Sequence, residues 1–268
     1  MSEGGLRETF SSMDELDPRL RRYEVGAGTL RTSDTGLRLM LDGATDEEYS
    51  NAQIDDYQGL SRRDFLWRPP LTMTVKARFS HPAGQLRGTA GFGFWNDPFL
   101  MTGARLPTLP RALWFFYGSS PSNLKLALGV PGHGWKAATV DAWRPAALLL
   151  APLALPAVLG MNVPVVYRSV WPTIQRAIGV EEALVPGDMV AWHVYRIEWG
   201  RGRACFLVDD EVFLEDAPAP GGPLGFVMWI DNQYMVVTPQ GRFRWGVLDV
   251  PGRQWMEVEE VLIEPGNS

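Results

Sequence analysis

Residues 192–213 read WHVYRIEWGRGRACFLVDDEVF, two runs of alternating apolar and polar side chains on either side of Gly200-Arg201-Gly202. A period of two, broken by a short glycine-rich segment, predicts a β-hairpin. His193, Tyr195, Ile197 and Trp199 share one face of its first strand. Phe206 and Val208 share one face of the second, with Cys205 on the other. The same rhythm recurs on both sides of this hairpin. Residues 71–79 (LTMTVKARF) alternate strictly, and 30–41 (LRTSDTGLRLML) fold back around Asp34-Thr35-Gly36. Residues 88–97 (GTAGFGFWND) place Phe92 and Phe94 on one face, with Gly91, Gly93 and Trp95 on the other. Glycines beside a large ring predict a floor that another group approaches closely. Further strands are predicted at 112–119, 124–130, 223–234 and 255–264. Many short strands with Gly and Pro turns predict an all-β, two-sheet antiparallel sandwich.

The bounds agree. A chain of 268 residues, 46% of them hydrophobic, is long enough for one all-β domain over 1–268 with a sizeable core. Eleven Trp, 21 Pro and 28 Gly suit a turn-rich protein with broad aromatic surfaces. A net charge of −6 leaves no broad basic face for phosphates, which argues against nucleic acid as a partner. The single cysteine, Cys205, excludes an intrachain disulfide. The opening MSEGGLRETFSSMDELDP lacks the basic and apolar regions of a secretory signal. Together these two features predict a reducing, cytoplasmic location.

Residues 141–188 break the rhythm and are expected to form a helical or irregular apolar insertion between two strands. Its run 146–159 is too short to span a membrane and is interrupted by Pro152 and Pro156. Within it, Pro172 is expected near a helix N-terminus, with Ile174, Ala177 and Ile178 on one side.

WHVYRIEW followed by FLVDDEVF resembles the FHxYxIEW … FxVDGxxV hairpin of concanavalin A-like sandwiches, above all the family-16 glycoside hydrolases. LTMTVKARFS, GTAGFGFWND and MEVEEVLIE resemble, in the same order, three further strands of that family. The resemblance implies a jelly roll with a ligand cleft on its concave sheet. It also implies an E-x-D-x-x-E motif on the strand after GTAGFGFWND, which here is ALWFFYGS. Yet from Pro98 to Val140 the chain has no Asp or Glu. A retaining glycosidase needs two carboxyl groups about 5 Å apart, so that mechanism does not carry over. Glu259 stands where the family's closing strand has an Asp, and on that likeness it is a candidate ligand for a structural calcium.

With Phe92, Phe94, Phe226, Met228 and Ile230 in the core, parity sends Trp95, Trp229, Asp231 and Gln233 to the opposite face. Asn51, Gln53 and Asp55 share a face of NAQIDDYQ, and Arg78, Trp114 and Phe116 are expected to join them. Asp231 and Asp55 are the candidate catalytic carboxylates, one protonated and one held ionised by Arg78. The remaining residues are candidate ligand contacts, since flat rings and planar polar groups suit sugars. Each has a plainer reading. The three tryptophans could cover a sheet under the insertion, and Asp231-Asn232 could form a turn. Asp55 and Asp56 could be a solvated strand end. His193 reads as a core histidine with a hydrogen-bond partner, His81 and His133 as loop residues. The histidines have no metal-ligand spacing and GTAGFGF lacks the context of a phosphate loop, so no cofactor is implied. The expected function is glycan binding or processing in the aromatic cleft, without the usual retaining acid pair. The alternatives are a cytoplasmic enzyme or carrier for a lipophilic small molecule with the insertion as lid, and a structural role with the insertion as subunit interface. An outward-facing insertion would instead mark an oligomer or membrane-surface contact.

Overall fold

The structure, a computed structural model, describes residues 4–12, 15–98 and 106–266. In chain order the first strands are β1 (Leu6–Glu8), β2 (Arg21–Val25), β3 (Gly28–Ser33), β4 (Gly36–Asp42), β5 (Asn51–Asp55) and β6 (Leu71–Phe79). β7 (Thr89–Trp95), β8 (Arg111–Gly118), β9 (Gly134–Asp141), β10 (Glu181–Leu184), β11 (His193–Trp199) and β12 (Arg203–Val208) follow. The last are β13 (Glu211–Pro218), β14 (Gly225–Asp231), β15 (Gln233–Val237), β16 (Phe243–Val247) and β17 (Arg253–Pro265).

Two antiparallel sheets face each other. One runs β13-β12-β11-β6-β17-β4-β3, with β1 added beside β17. The other runs β10-β9-β8-β7-β14-β5-β2. β15 and β16 form a separate ribbon. The opening hairpin is β11 and β12, paired Tyr195 to Val208 and Trp199 to Ala204. β6 carries its alternation intact: Leu71, Met73, Val75, Ala77 and Phe79 are buried and the four residues between them are half-buried. This is a two-sheet jelly-roll sandwich with one helical insertion.

Aromatic rings lock the sheets together. Tyr195 lies 5.1 Å from both Phe92 and Phe115, and Trp199 lies 5.3 Å from Phe94, centroid to centroid. Such tilted and edge-on contacts suit the ring quadrupoles and bury large areas of apolar surface. The period of two then fixes the other face of β7, β8 and β14 as the one turned away from the core.

Three expectations are corrected. Residues 124–130 form no strand; the next strand of the sheet is β9, and 124–130 loops over the sheet's outer face. The insertion ends earlier than expected, because Glu181–Leu184 is the edge strand β10, paired with β9. Its helices are α1 (Pro145–Leu150), α2 (Ala154–Gly160) and α3 (Pro164–Ala177). α3 starts at Pro164, so Pro172 lies inside the helix. Two prolines in one segment compete for the N1 position, and local spacing cannot say which begins the helix.

Gly225, on β14, has no room for a side chain. A Cβ there would lie 2.4 Å from the Tyr57 ring, which is itself fully buried. Gly225→Ala is expected to cost about 1–3 kcal/mol through overpacking, read as a lower urea midpoint at unchanged slope. An unchanged midpoint would show that the Tyr57 ring can yield.

Candidate functional site

The outward face of β7, β8 and β14 carries an aromatic floor. Trp114 of β8 lies 5.8 Å from Trp95, 5.6 Å from Phe116 and 5.7 Å from Trp229, and Phe116 lies 5.9 Å from Trp229. Gly91 and Gly93 let these rings lie close to the sheet. A Cβ at Gly91 would lie 2.9 Å from the Trp229 ring, and one at Gly93 would lie 2.7 Å from Trp114 Cβ. The close approach foreseen from the glycines is thus made by the backbone of β8, at Phe115 and Leu113, and at Gly91 by the Trp229 ring as well.

Above the floor is a pocket of about 180 Å³. Leu124 and Leu126 from the 119–133 loop, and Met235 and Val237 from β15, wall one side. Pro98, Pro110 and Val140 contribute elsewhere. A buried ion pair fixes the loop: Lys136 Nζ donates to Glu182 Oε2 at 2.7 Å and to the carbonyl oxygens of Leu124 and Pro131. The other Glu182 oxygen accepts from the backbone N–H groups of Leu126 and Ala127. Trp171 of α3 donates to the Leu126 carbonyl at 2.7 Å.

The polar groups at this pocket are largely engaged. Asp231 Oδ1 accepts from Thr89 N, Thr89 Oγ1 and Gln233 N. Trp229 Nε1 donates to Thr89 Oγ1. Arg111 donates to Asp141 and to the Gly222 carbonyl. The Tyr49 hydroxyl is buried beside the pocket without a hydrogen-bond partner among the described residues. Burial, and then the charge of Asp231, push its pKa up. The Trp95 indole N–H is likewise buried at the pocket without a hydrogen-bond partner among the described residues, so both groups are placed to meet a ligand.

The expected site residues therefore separate. Trp95, Trp114, Phe116, Trp229, Gln53, Asp231 and Gln233 line the pocket. Asn51 and Asp55 do not, but lie on the same strand as Gln53 in a ladder: Asn51 donates to Gln53, and Gln53 donates to Asp55. Asp55 also accepts from Gln58 Nε2 and from the N–H groups of Tyr57 and Gln58. Asp55 and Asp56 are not a solvated strand end; both are buried, and Asp56 holds the Trp67 indole and the Phe226 N–H.

Arg78 is not in the cleft. It lies on β6, in the other sheet, where it binds Glu257 at 2.7 Å and stacks on Trp192. Parity gave its face but not its sheet. The expectation that it holds a cleft carboxylate ionised falls with this. Glu259, in a bulge of β17, pairs with Lys76 at 2.7 Å, and no cluster of metal-ligating side chains occurs among the described residues. His193 is half-buried, bonded to Asp209 at 2.5 Å and to the Asp188 carbonyl.

Asp231 and Asp55 are not a pair either. In the β14–β5 register Asp231 faces Asn51, while Asp55 faces Val227. Four residues of strand separate them, about 13 Å at ~3.3 Å per residue. That exceeds the ~5–9.5 Å spacing of glycosidase carboxyl pairs. Sequence reasoning missed Tyr49, Thr89 and Arg111, which sit outside the alternating runs or at strand ends.

No protein-family model matches the chain, and no curated protein matches it. Solved structures do. The chain is similar to Bacillus licheniformis β-glucanase at 10% identity and a TM-score of 0.50, covering 99% of this chain and 100% of that one. It is similar to the Emp47p carbohydrate recognition domain at 13% identity and a TM-score of 0.51, covering 100% and 97%. The GlcNAcα1-4Gal-releasing endo-β-galactosidase from Clostridium perfringens gives 12% and 0.54, covering 98% of this chain and 63% of that one. At these identities the likeness is one of fold: the chain shares their jelly-roll sandwich.

Burial raises the Asp231 carboxyl to about 6, against the hydrogen bonds from Thr89 and Gln233. The folded protein then holds this proton to a higher pH than the unfolded chain does. Its stability contribution is present below the unfolded value near 3.8 and is lost as pH rises through about 6. Asp231→Asn keeps an oxygen for the same donors and is expected to flatten this decline, on the order of 2–3 kcal/mol at neutral pH. Urea unfolding near pH 4 and pH 7 reads it. A variant weaker than wild type at both would mean that these donors require the carboxylate.

Proposed function

We propose that the concave cleft binds a lipophilic, ring-bearing small molecule, with the aromatic floor against one face of the ring. The observation that carries this is the lining: four aromatic rings below, leucine, methionine, valine and proline around, and the nearby carboxylate and guanidinium occupied by protein partners. A cavity of about 150 Å³ lined by apolar groups stays dry and takes up benzene; the present pocket, about 180 Å³, is larger. Its open side leaves space for the rest of a larger ligand.

A glycan is the second reading. Its support is the fold, shared with structures named as a β-glucanase and a carbohydrate recognition domain. The aromatic floor suits the C–H face of a sugar as well. Against it stands the cost of burying hydroxyl groups against a lining that is mostly apolar among the described residues. The carboxylate geometry likewise favours binding over hydrolysis, because the two candidate acids lie too far apart to share one bond.

Titration calorimetry with 1-naphthol and with laminaritriose separates the readings. The aromatic alcohol is expected to bind with a negative heat-capacity change, and Trp114→Ala is expected to weaken it about tenfold. Heat from laminaritriose alone, lost in the same variant, would overturn the lipophilic assignment in favour of the glycan.

A further inference from the structure

The insertion does not roof the cleft. From Pro145 to Tyr167 it has no charged residue, and its large side chains point into solvent. Leu149 is 79% exposed, Leu155 72%, Leu159 67% and Val165 74%. The β15–β16 ribbon continues this surface, with Phe243 64% and Trp245 63% exposed. The two parts touch: Asn162 of the insertion donates to the Gln240 carbonyl, and Val158 fills the space where Gly241 would carry a Cβ. Hydrogen bonds from the 119–133 loop tie both to the pocket wall, through Asn123 to the ribbon and through Leu126 to α3. An apolar face whose large side chains stand exposed in this way is an interaction surface.

Its charges indicate the partner. Residues 142–180 and 232–248 contain no Asp or Glu, while the chain as a whole carries −6. The charged groups there are Arg144, Arg168, Arg176, Arg242 and Arg244. Among the described residues none of the five is in an ion pair. Arg168, Arg176, Arg242 and Arg244 are exposed. On the ribbon, Arg244 lies over the Tyr234 ring on the face opposite Phe243 and Trp245, so the ribbon tip carries rings and guanidinium groups on its two faces. Apolar side chains bordered by unpaired arginines complement an anionic interface. A second copy of the chain would not serve, since a two-fold contact would bring the same arginines face to face.

We propose that this face docks on an anionic lipid bilayer, with the insertion and the ribbon tip lying in the headgroup region. Leu149, Leu155, Leu159 and Val165 enter the acyl boundary, Phe243 and Trp245 sit at headgroup level, and the arginines meet lipid phosphates. The segment lies on the membrane and does not cross it: no helix among the described residues is long and apolar enough to span. The proposal goes beyond the reading of the cleft and stands whatever the cleft binds.

Co-sedimentation of the full chain with two kinds of vesicle tests it, one of phosphatidylcholine alone and one also containing phosphatidylglycerol. The expected result is binding to the anionic vesicles, weakened by added salt. Each replacement among Arg168→Gln, Arg242→Gln and Arg244→Gln should lower it about fivefold. Leu155→Ser with Leu159→Ser should lower it at least about tenfold. These side chains are exposed, so folding is expected to persist, and an unchanged circular dichroism spectrum checks it. Failure to bind anionic vesicles at low salt would overturn the proposal. So would binding indifferent to the leucine pair, or sedimentation analysis showing that the pair dissolves an oligomer while vesicles are ignored.

Discussion

The contact on which the structure depends is the one between the hairpin strand β11 and the middle of the opposite sheet. Tyr195 and Trp199 reach across to Phe92, Phe94 and Phe115. Once these rings occupy the space between the sheets, the parity of β7, β8 and β14 is fixed. A slip of one residue would turn Phe92 and Phe94 to solvent and the glycines inward. The same contact therefore decides which residues form the floor of the cleft. Core and site are the two faces of the same strands, and neither can be rebuilt without the other.

The wall of the cleft rests on a different interaction. Lys136 and Glu182 are both buried, and their charges are stabilised by each other and by four backbone groups of the 119–133 loop. A buried pair of this kind adds little net stability over an apolar one, but removal of one member strands a charge. Its effect here is positional: it holds Leu124 and Leu126 above the aromatic floor. Glu257 plays a comparable part on the outer face of the other sheet. Burial opposes its charge, yet hydrogen bonds from Ser33, Arg78, Thr35 and Arg38 outweigh this and keep its carboxyl below the usual range. Arg38 and Arg78 flank Glu257 and both lie over the Trp255 ring, and Arg78 also stacks on Trp192. Arg78 is thus committed to the outer surface.

Strand parity was readable from the sequence because it is local. It correctly turned Trp95, Trp114, Phe116 and Trp229 to one face and Phe92, Phe94 and Phe226 to the other. What it could not supply was which sheet a strand joins, and Arg78 is the consequence. Register was also out of reach, so Asp231 and Asp55 shared a face on paper while lying four residues apart. The loop at 124–130 alternates like a strand because Leu124 and Leu126 do face one way, toward a pocket rather than a core. A pattern of burial does not reveal what provides the burial. β10 was hidden for the opposite reason: EEAL has too little β-propensity to announce itself, and only its edge pairing with β9 makes it a strand.

The position of the apolar surface bears on how the cleft is reached. Leu124, Leu126, Met235 and Val237 face the pocket, and the segments that carry them are joined directly to the insertion and the ribbon tip. Inner and outer apolar surfaces are thus two sides of one wall. Water is a poor reservoir for a ligand that the floor would favour, because such a molecule partitions into lipid before it meets the protein. A wall set against a bilayer brings the cleft to the place where the ligand is concentrated. On the proposed docking, a lipophilic ligand would reach the cleft from lipid rather than from open water, and its binding would then rest on ring contacts more than on release of water.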